Sequence, residues 1–194
     1  SANGNHDAFV AKVNAAGTAL IYSGFIGGSL DDYGRAVALD AAGNAYVAGE
    51  AASDETTFPV SVGPDLTYNG GSRDTFVAKV KADGTGLDYC GYISGAQDDY
   101  AYGIAVDSAG RAYVTGKADS MSTFPVSVGP DLTFGGASDA FVAKVSATGD
   151  ALVYCGYIGG TSNEYGQAIA VDGAGNAYIV GYARNSTSGF PGLV

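Results

Sequence analysis

The side chains with the best chemical prospects occur in sets of three. Asp31 and Asp32 return as Asp98 and Asp99, and again as Asn163 and Glu164, each pair inside a glycine-rich loop (Ser29–Tyr33, Ala96–Tyr100, Thr161–Tyr165). Hard oxygen donors in such loops suit Ca²⁺. The same carboxylates also cap turns through nearby backbone N–H groups, and no full EF-hand or nonapeptide calcium pattern surrounds them. Calcium is the one cofactor these residues suggest. Tyr33, Tyr100 and Tyr165 follow the acidic pairs directly, with Tyr68 and Tyr102 elsewhere in the same units. Aromatic rings beside carboxylates can stack sugars, or can pack between structural units. Phe58-Pro59 and Phe124-Pro125 each open the same ten residues, FPVSVGPDLT, which are expected to form a partner-facing loop or a proline-stiffened loop over the neighbouring unit.

Other chemistries lack their residues. The single histidine, His6, sits in a Gly/Asn-rich segment. A Ser-His-Asp or Cys-His arrangement would have to use it. Two cysteines and one histidine cannot furnish a zinc site of ordinary spacing. No phosphate-binding glycine motif stands between a strand and a helix. Cys90 and Cys155 hold the same place in successive units, with Ser23 in the first. They read as small buried residues, too far apart for a disulfide. Lys12, Lys79 and Lys144 recur in FVAKV and are expected to lie along a sheet surface with their heads in solvent or paired. Asn185-Ser186-Thr187 fits a glycosylation sequon. Nine basic residues face twenty acidic ones, for a net charge of −11, so nucleic acid is not an expected partner. No apolar run reaches the ~20 residues of a membrane span, and no signal peptide is visible.

The elements that must position these residues are short strands. DAFVAKV at Asp7–Val13 returns as DTFVAKV at Asp74–Val80 and DAFVAKV at Asp139–Val145, so the chain divides into units of about 66 residues at 7–73, 74–138 and 139–194. Each unit has four strand-like segments: FVAKV, then Leu20–Ile26, Arg35–Leu39 and Ala45–Ala48 with their equivalents. DAAGNAY, DSAGRAY and DGAGNAY place Asp at a turn start and Gly43, Gly110 and Gly175 where a left-handed residue is needed. In AVALD, GIAVD and AIAVD a small face alternates with a branched one, so both faces look buried. A four-stranded antiparallel sheet buried on both faces and repeated in tandem is a propeller blade. The expected fold is therefore all-β, a single β-propeller or propeller segment over residues 1–194. A β-solenoid is the structural alternative.

The combination DAFVAKVNAAGTALIYSGFIGG followed by DDYGRAVALDAAGNAYVAG resembles the bacterial SBBP repeat, a beta-propeller repeat, across all three units. It is also distantly similar to the NHL-type repeat, which shares the AVDxxGNxYV hairpin. The resemblance implies a propeller of the kind found in secreted or surface-attached bacterial proteins. It carries no catalytic motif to transfer. The units are longer than the usual repeat by the FPVSVGPDLT loop. The NHL-like similarity implies a register with RAVAL innermost, then AYVA, FVAKV and LIYSGFI outermost. The long loop and the acidic loops then share one face, and the tight turns share the other. The chain would open on two outer strands (Phe9–Ile26), pass through two complete blades and close on two inner strands (Tyr165–Ala183). Three blades are too few for a ring, and bare edges invite pairing. Two completions are open: a homodimer closing a six-bladed ring, or further blades of a longer chain.

The expected function is non-enzymatic, an extracellular or cell-surface scaffold for protein interaction or assembly. A carbohydrate-binding propeller is the alternative. A propeller enzyme would need a polar cluster on the inner strands, where Arg35, Tyr102 and Gln167 are the variable polar residues. Fold alone favours none of these.

Overall fold

A computed structural model describes residues 3–184 and 189–190; the sequon at 185–187 lies outside the described residues. Twelve strands follow one another in the described residues: β1 (Ala8–Val13), β2 (Leu20–Ile26), β3 (Asp32–Leu39), β4 (Ala45–Ala51), β5 (Asp74–Val80), β6 (Leu87–Tyr92), β7 (Asp99–Val106), β8 (Ala112–Ala118), β9 (Asp139–Val145), β10 (Leu152–Ile158), β11 (Asn163–Val171) and β12 (Ala177–Arg184). They pair as two four-stranded antiparallel sheets, β3-β4-β5-β6 and β7-β8-β9-β10, flanked by the two-stranded sheets β1-β2 and β11-β12. The strand order and the split between outer and inner halves are those expected from the repeat. Among the described residues, no strand closes the stack into a ring.

Local chemistry explains the hairpins. Asp40 Oδ1 accepts the backbone N–H groups of Ala42 and Asn44, while Oδ2 accepts from Asn44 Nδ2 and the Tyr46 hydroxyl. Asp107 and Asp172 repeat the arrangement. Gly43 closes its turn at φ 86°, a conformation that only glycine adopts without strain. Burial alone would raise the Asp107 carboxyl; hydrogen bonds from Arg111 and Tyr113 outweigh it and hold the group below its ordinary range.

The blades pack face to face because side chains alternate across a strand. On β4, Ala45, Val47 and Ala51 enter one apolar cluster with Ala8 and Ile26 of the preceding half-blade. Tyr46 and Ala48, between them, enter the other cluster with Ile104, Val114 and Phe141 of the following blade. The inner strands β3, β7 and β11 pack against one another in succession. β3 and its equivalents begin three or more residues before the Arg35–Leu39 core of the expected strand, which brings Asp32, Asp99 and Glu164 into the sheets.

Of its two expected readings, the FPVSVGPDLT segment takes the packed one, though over the outermost strand of its own sheet. Phe58 and Phe124, expected on a partner face, point inward and are almost fully buried. Phe58 packs 5.2 Å from Phe76 and 5.5 Å from Tyr92; Phe124 packs 5.0 Å from Phe141 and 5.7 Å from Tyr157. Pro59 and Pro125, expected beside them on that face, are half-buried. The loop then runs along the outermost strand: Ser61 N–H donates to the Cys90 carbonyl, Cys90 N–H to Val62, and Tyr92 N–H to Asp65. It covers an edge that would otherwise be open to another chain. The approach is so close that a Cβ on Gly91 would lie 2.5 Å from Gly63 Cα.

Candidate binding rim

The acidic pairs separate on folding. Asp32 turns inward and is fully buried. It accepts Gly28 N–H (2.7 Å) and Ser53 Oγ–H (2.8 Å) on Oδ2, and the N–H groups of Ala52 and Ser53 on Oδ1. Asp99 does the same with Gly95, Asp119 and Ser120, and Glu164 accepts Gly160 N–H. Asp32 and Asp99 thereby pin the loop entering each inner strand to the loop leaving the next, and Glu164 holds the loop entering β11. Burial raises the Asp99 carboxyl to about 6 despite its donors. Asp31 and Asp98 turn outward: Asp31 Oδ1 pairs with His6 Nδ1 at 3.1 Å, and Asp98 takes Ser72 N–H and the Tyr100 hydroxyl. Asn163 pairs through its backbone with Arg184 on β12. Among the described residues, no group of three or more His, Cys, Asp or Glu side chains is placed to hold a metal ion. Neighbouring carboxylates alternate across the strand start, and Asp32 and Asp99 act as turn caps, the reading weighed beside calcium for these pairs.

The tyrosines do converge. Tyr33, Tyr100 and Tyr165 open β3, β7 and β11, and all three are half-buried where the sequence suggested exposure. Their ring faces are occupied. Arg35 and Arg73 hold their guanidinium carbons 5.1 and 4.5 Å from the Tyr33 centroid, and the His6 ring stacks on it at 5.5 Å. Lys117 Nζ lies 4.4 Å from the Tyr100 ring and 5.7 Å from Tyr165. Tyr102 stacks on Tyr100, and Tyr182 stacks on Tyr165 at 4.7 Å. Tyr68 stands apart from this rim, edge-on to Tyr92 at 5.9 Å beneath the long loop. Burial raises the Tyr100 phenol to about 12, with Asp98 adding to the effect.

This rim is where the repeats differ. Position for position, Arg35, Tyr102 and Gln167 are equivalent, as are Glu50, Lys117 and Tyr182, and His6, Arg73 and Ser138. Arg35 forms an ion pair with buried Glu50, and Lys117 pairs with Asp119 at 2.8 Å. Sequence reasoning singled out the inner-strand set but missed Glu50, Lys117 and Tyr182. Their signal was present as the position of the second strand that varies in charge, Glu, Lys and Tyr in turn. The chemistry is that of a polar, aromatic binding surface. Cys90 and Cys155 are free, buried thiols, their ionisation opposed by burial, with the Cys155 thiol pushed up to about 12. The FVAKV lysines lie over tyrosine rings, Lys79 on Tyr46 and Lys144 on Tyr113; Lys79 also pairs with Asp88 as expected, whereas Lys144 is buried with its head on no carboxylate among the described residues.

Tandem four-stranded antiparallel sheets packed face to face, each with its own hairpins and capped edge, define a protein of propeller blades. The family model described as SBBP, a beta-propeller repeat, matches residues 89–124 and 156–186. The matched stretches each run from an outermost strand into the inner hairpin of the next sheet. A search of curated proteins finds no match. No helix among the described residues is long and apolar enough to cross a membrane.

Proposed function

We propose that the chain is a non-enzymatic β-propeller scaffold for protein interaction and assembly, acting outside the cell or at a bacterial surface. The observation that carries this reading is the repeated display on the loop-covered outer edges. Two loops of identical sequence, each anchored by a buried phenylalanine, leave Val62 and Leu66 in one blade and Val128 and Leu132 in the next exposed. Isolated exposed aliphatics are ordinary; the same pair repeated on the same backbone is a periodic apolar surface suited to an extended or repeated partner. The carboxylates that could serve catalysis are engaged in turns and corners. The extracellular setting follows from the kind of bacterial protein the repeat resembles.

The glycan alternative is weaker on this geometry, because cations and neighbouring rings already cover the tyrosine faces that a sugar would stack on. Binding to a mixed array of peptides and glycans separates the two. The expected result is binding to apolar peptides that falls at least tenfold in the Leu66→Ser/Leu132→Ser variant at unchanged thermal stability. Glycan binding that survives this change and is lost in Tyr165→Ala would overturn the reading.

A further inference from the structure

The two half-blades offer complementary edges. On the N-terminal half, the open face of β1 and β2 exposes Phe9, Val13, Leu20, Ile21 and Phe25. Phe9 is 71% exposed, whereas its equivalents Phe76 and Phe141 are each 0% exposed. The difference lies in the neighbours and not in the strand, since DAFVAKV is common to the first and third units. Phe76 is paired across the ladder with Gly49 of β4 and packs with Phe58, Ala8 and Ile26.

The C-terminal half-blade holds that same seat without a ring in it. A groove of ≈ 350 Å³ beside β12 is lined by Gly181, Tyr182, Phe190, Ala140, Ile158 and Glu164 among others. Gly181 is the equivalent of Gly49, Phe190 of Phe58, Ala140 of Ala8 and Ile158 of Ile26. Phe190 remains 37% exposed, against 3% for Phe58 and 4% for Phe124. The counterparts of Gly49, Phe58, Ala8 and Ile26 are therefore present, and the two rings still missing, those equivalent to Phe76 and its ladder partner Tyr92, are Phe9 and Phe25 of the N-terminal half. A second complementarity lies three residues along the same ladder. Tyr46 pairs with Lys79 and Tyr113 with Lys144, each lysine lying over the paired ring. The corresponding residues are Tyr178, 61% exposed on β12, and Lys12 on β1.

We propose that β12 of one copy pairs antiparallel with β1 of a second copy, in the register Tyr178 to Lys12, Val180 to Val10 and Gly181 to Phe9. Phe9 fills the groove between Gly181 and Phe190, and Lys12 covers Tyr178. Each copy presents both edges, so two copies complete two blades between them and add them to their four whole ones, closing at six. Closure satisfies the ladder N–H and C=O groups of both bare edges and removes the routes to uncontrolled pairing. The proposal extends the assembly part of the scaffold reading and rests on it; loss of pairing leaves peptide binding by the loops intact, so the two readings fail separately.

The test is light scattering after size exclusion on the chain and four variants. The expected wild-type mass is that of two chains. Phe9→Asp and, on the opposite edge, Val180→Lys are each expected to give a single-chain mass. Both residues are solvent-exposed within one chain, so circular dichroism remains that of the folded protein. Val10→Cys/Val180→Cys is expected to form a covalent two-chain species on oxidation, reversed by reductant, whereas the register-shifted Ala11→Cys/Val180→Cys does not. A single-chain wild-type mass overturns the proposal and leaves both edges to other repeats. A two-chain mass that persists in Phe9→Asp, or a polydisperse ladder, overturns it equally.

Discussion

Replacing Phe124 by alanine tests whether the long loop is an integral part of the blade. The ring is 4% exposed and lies between Phe141 and Tyr157. A buried aromatic side chain removes roughly 150–250 Å² from water, which at about 25 cal/mol per Å² gives about 4–6 kcal/mol as an upper bound. Large-to-small substitutions of buried aromatics cost about 3–5 kcal/mol, so a loss of about 3–4 kcal/mol is expected. Such a loss is a large share of the ~5–15 kcal/mol that holds a domain folded. The damage extends beyond the cavity, because the anchor holds Ser127 and Val128 against Cys155 on the outermost strand, and losing that cover bares an edge. Urea unfolding followed by tyrosine fluorescence suits a chain with 14 tyrosines and no tryptophan, with circular dichroism as the second probe. Phe124→Leu, which retains most of the apolar volume, is expected to lose less than half as much. A loss below about 1 kcal/mol for Phe124→Ala at unchanged denaturant slope would refute the anchoring argument and return the residue to a free surface.

Three further outcomes follow from the same geometry. Asp99→Ala strands the N–H donors of Gly95, Asp119 and Ser120 in a buried corner, and at about 1–3 kcal/mol per unsatisfied group should lower the melting temperature by more than 8 °C, read by calorimetry. Burial raises the Asp74 carboxyl to about 7, only partly offset by the Asn69 N–H. A carboxyl whose folded pKa lies above its unfolded value contributes stability that is present below pH ~4 and is lost as pH rises through ~7, so Asp74→Asn should flatten the urea midpoint between pH 5 and 8 relative to wild type. Gly91→Ala drives a methyl group into Gly63 and should cost more than about 2 kcal/mol, whereas Gly24→Ala at the equivalent position, with nothing within 4 Å, should change stability by less than about 0.5 kcal/mol; equal effects in the two variants would refute the steric account.

Hairpins and strand order were legible because their causes are local. An Asp that accepts its own turn N–H groups, followed by a glycine at positive φ, specifies a hairpin wherever it occurs, as Asp40-Gly43 and Asp172-Gly175 do. The alternation of Ile104 with Ala105 announced two covered faces before any partner was known, whereas Val37, at the equivalent place on the first inner strand, is 63% exposed. The rim was legible only in part. Arg35 and Tyr102 stood out as polar variation on the inner strand, but Lys117 is joined to Tyr100 and Tyr165 across two blades, a contact no local pattern encodes. Phe58 and Phe124 were misplaced on the surface because a Pro-rich loop reads as exposed until the ring pocket between β5 and β6, or β9 and β10, is assembled.

The amino-acid order by itself therefore determined the repeat, the turns and the pairing within each sheet. All of these rest on interactions spanning a few residues or on composition. The tertiary structure alone decided which identical residues are buried. Phe9 and Phe141 share the same seven-residue context, yet one is in solvent and the other is sealed, because burial depends on the surfaces that neighbouring blades bring to a strand and not on the strand itself.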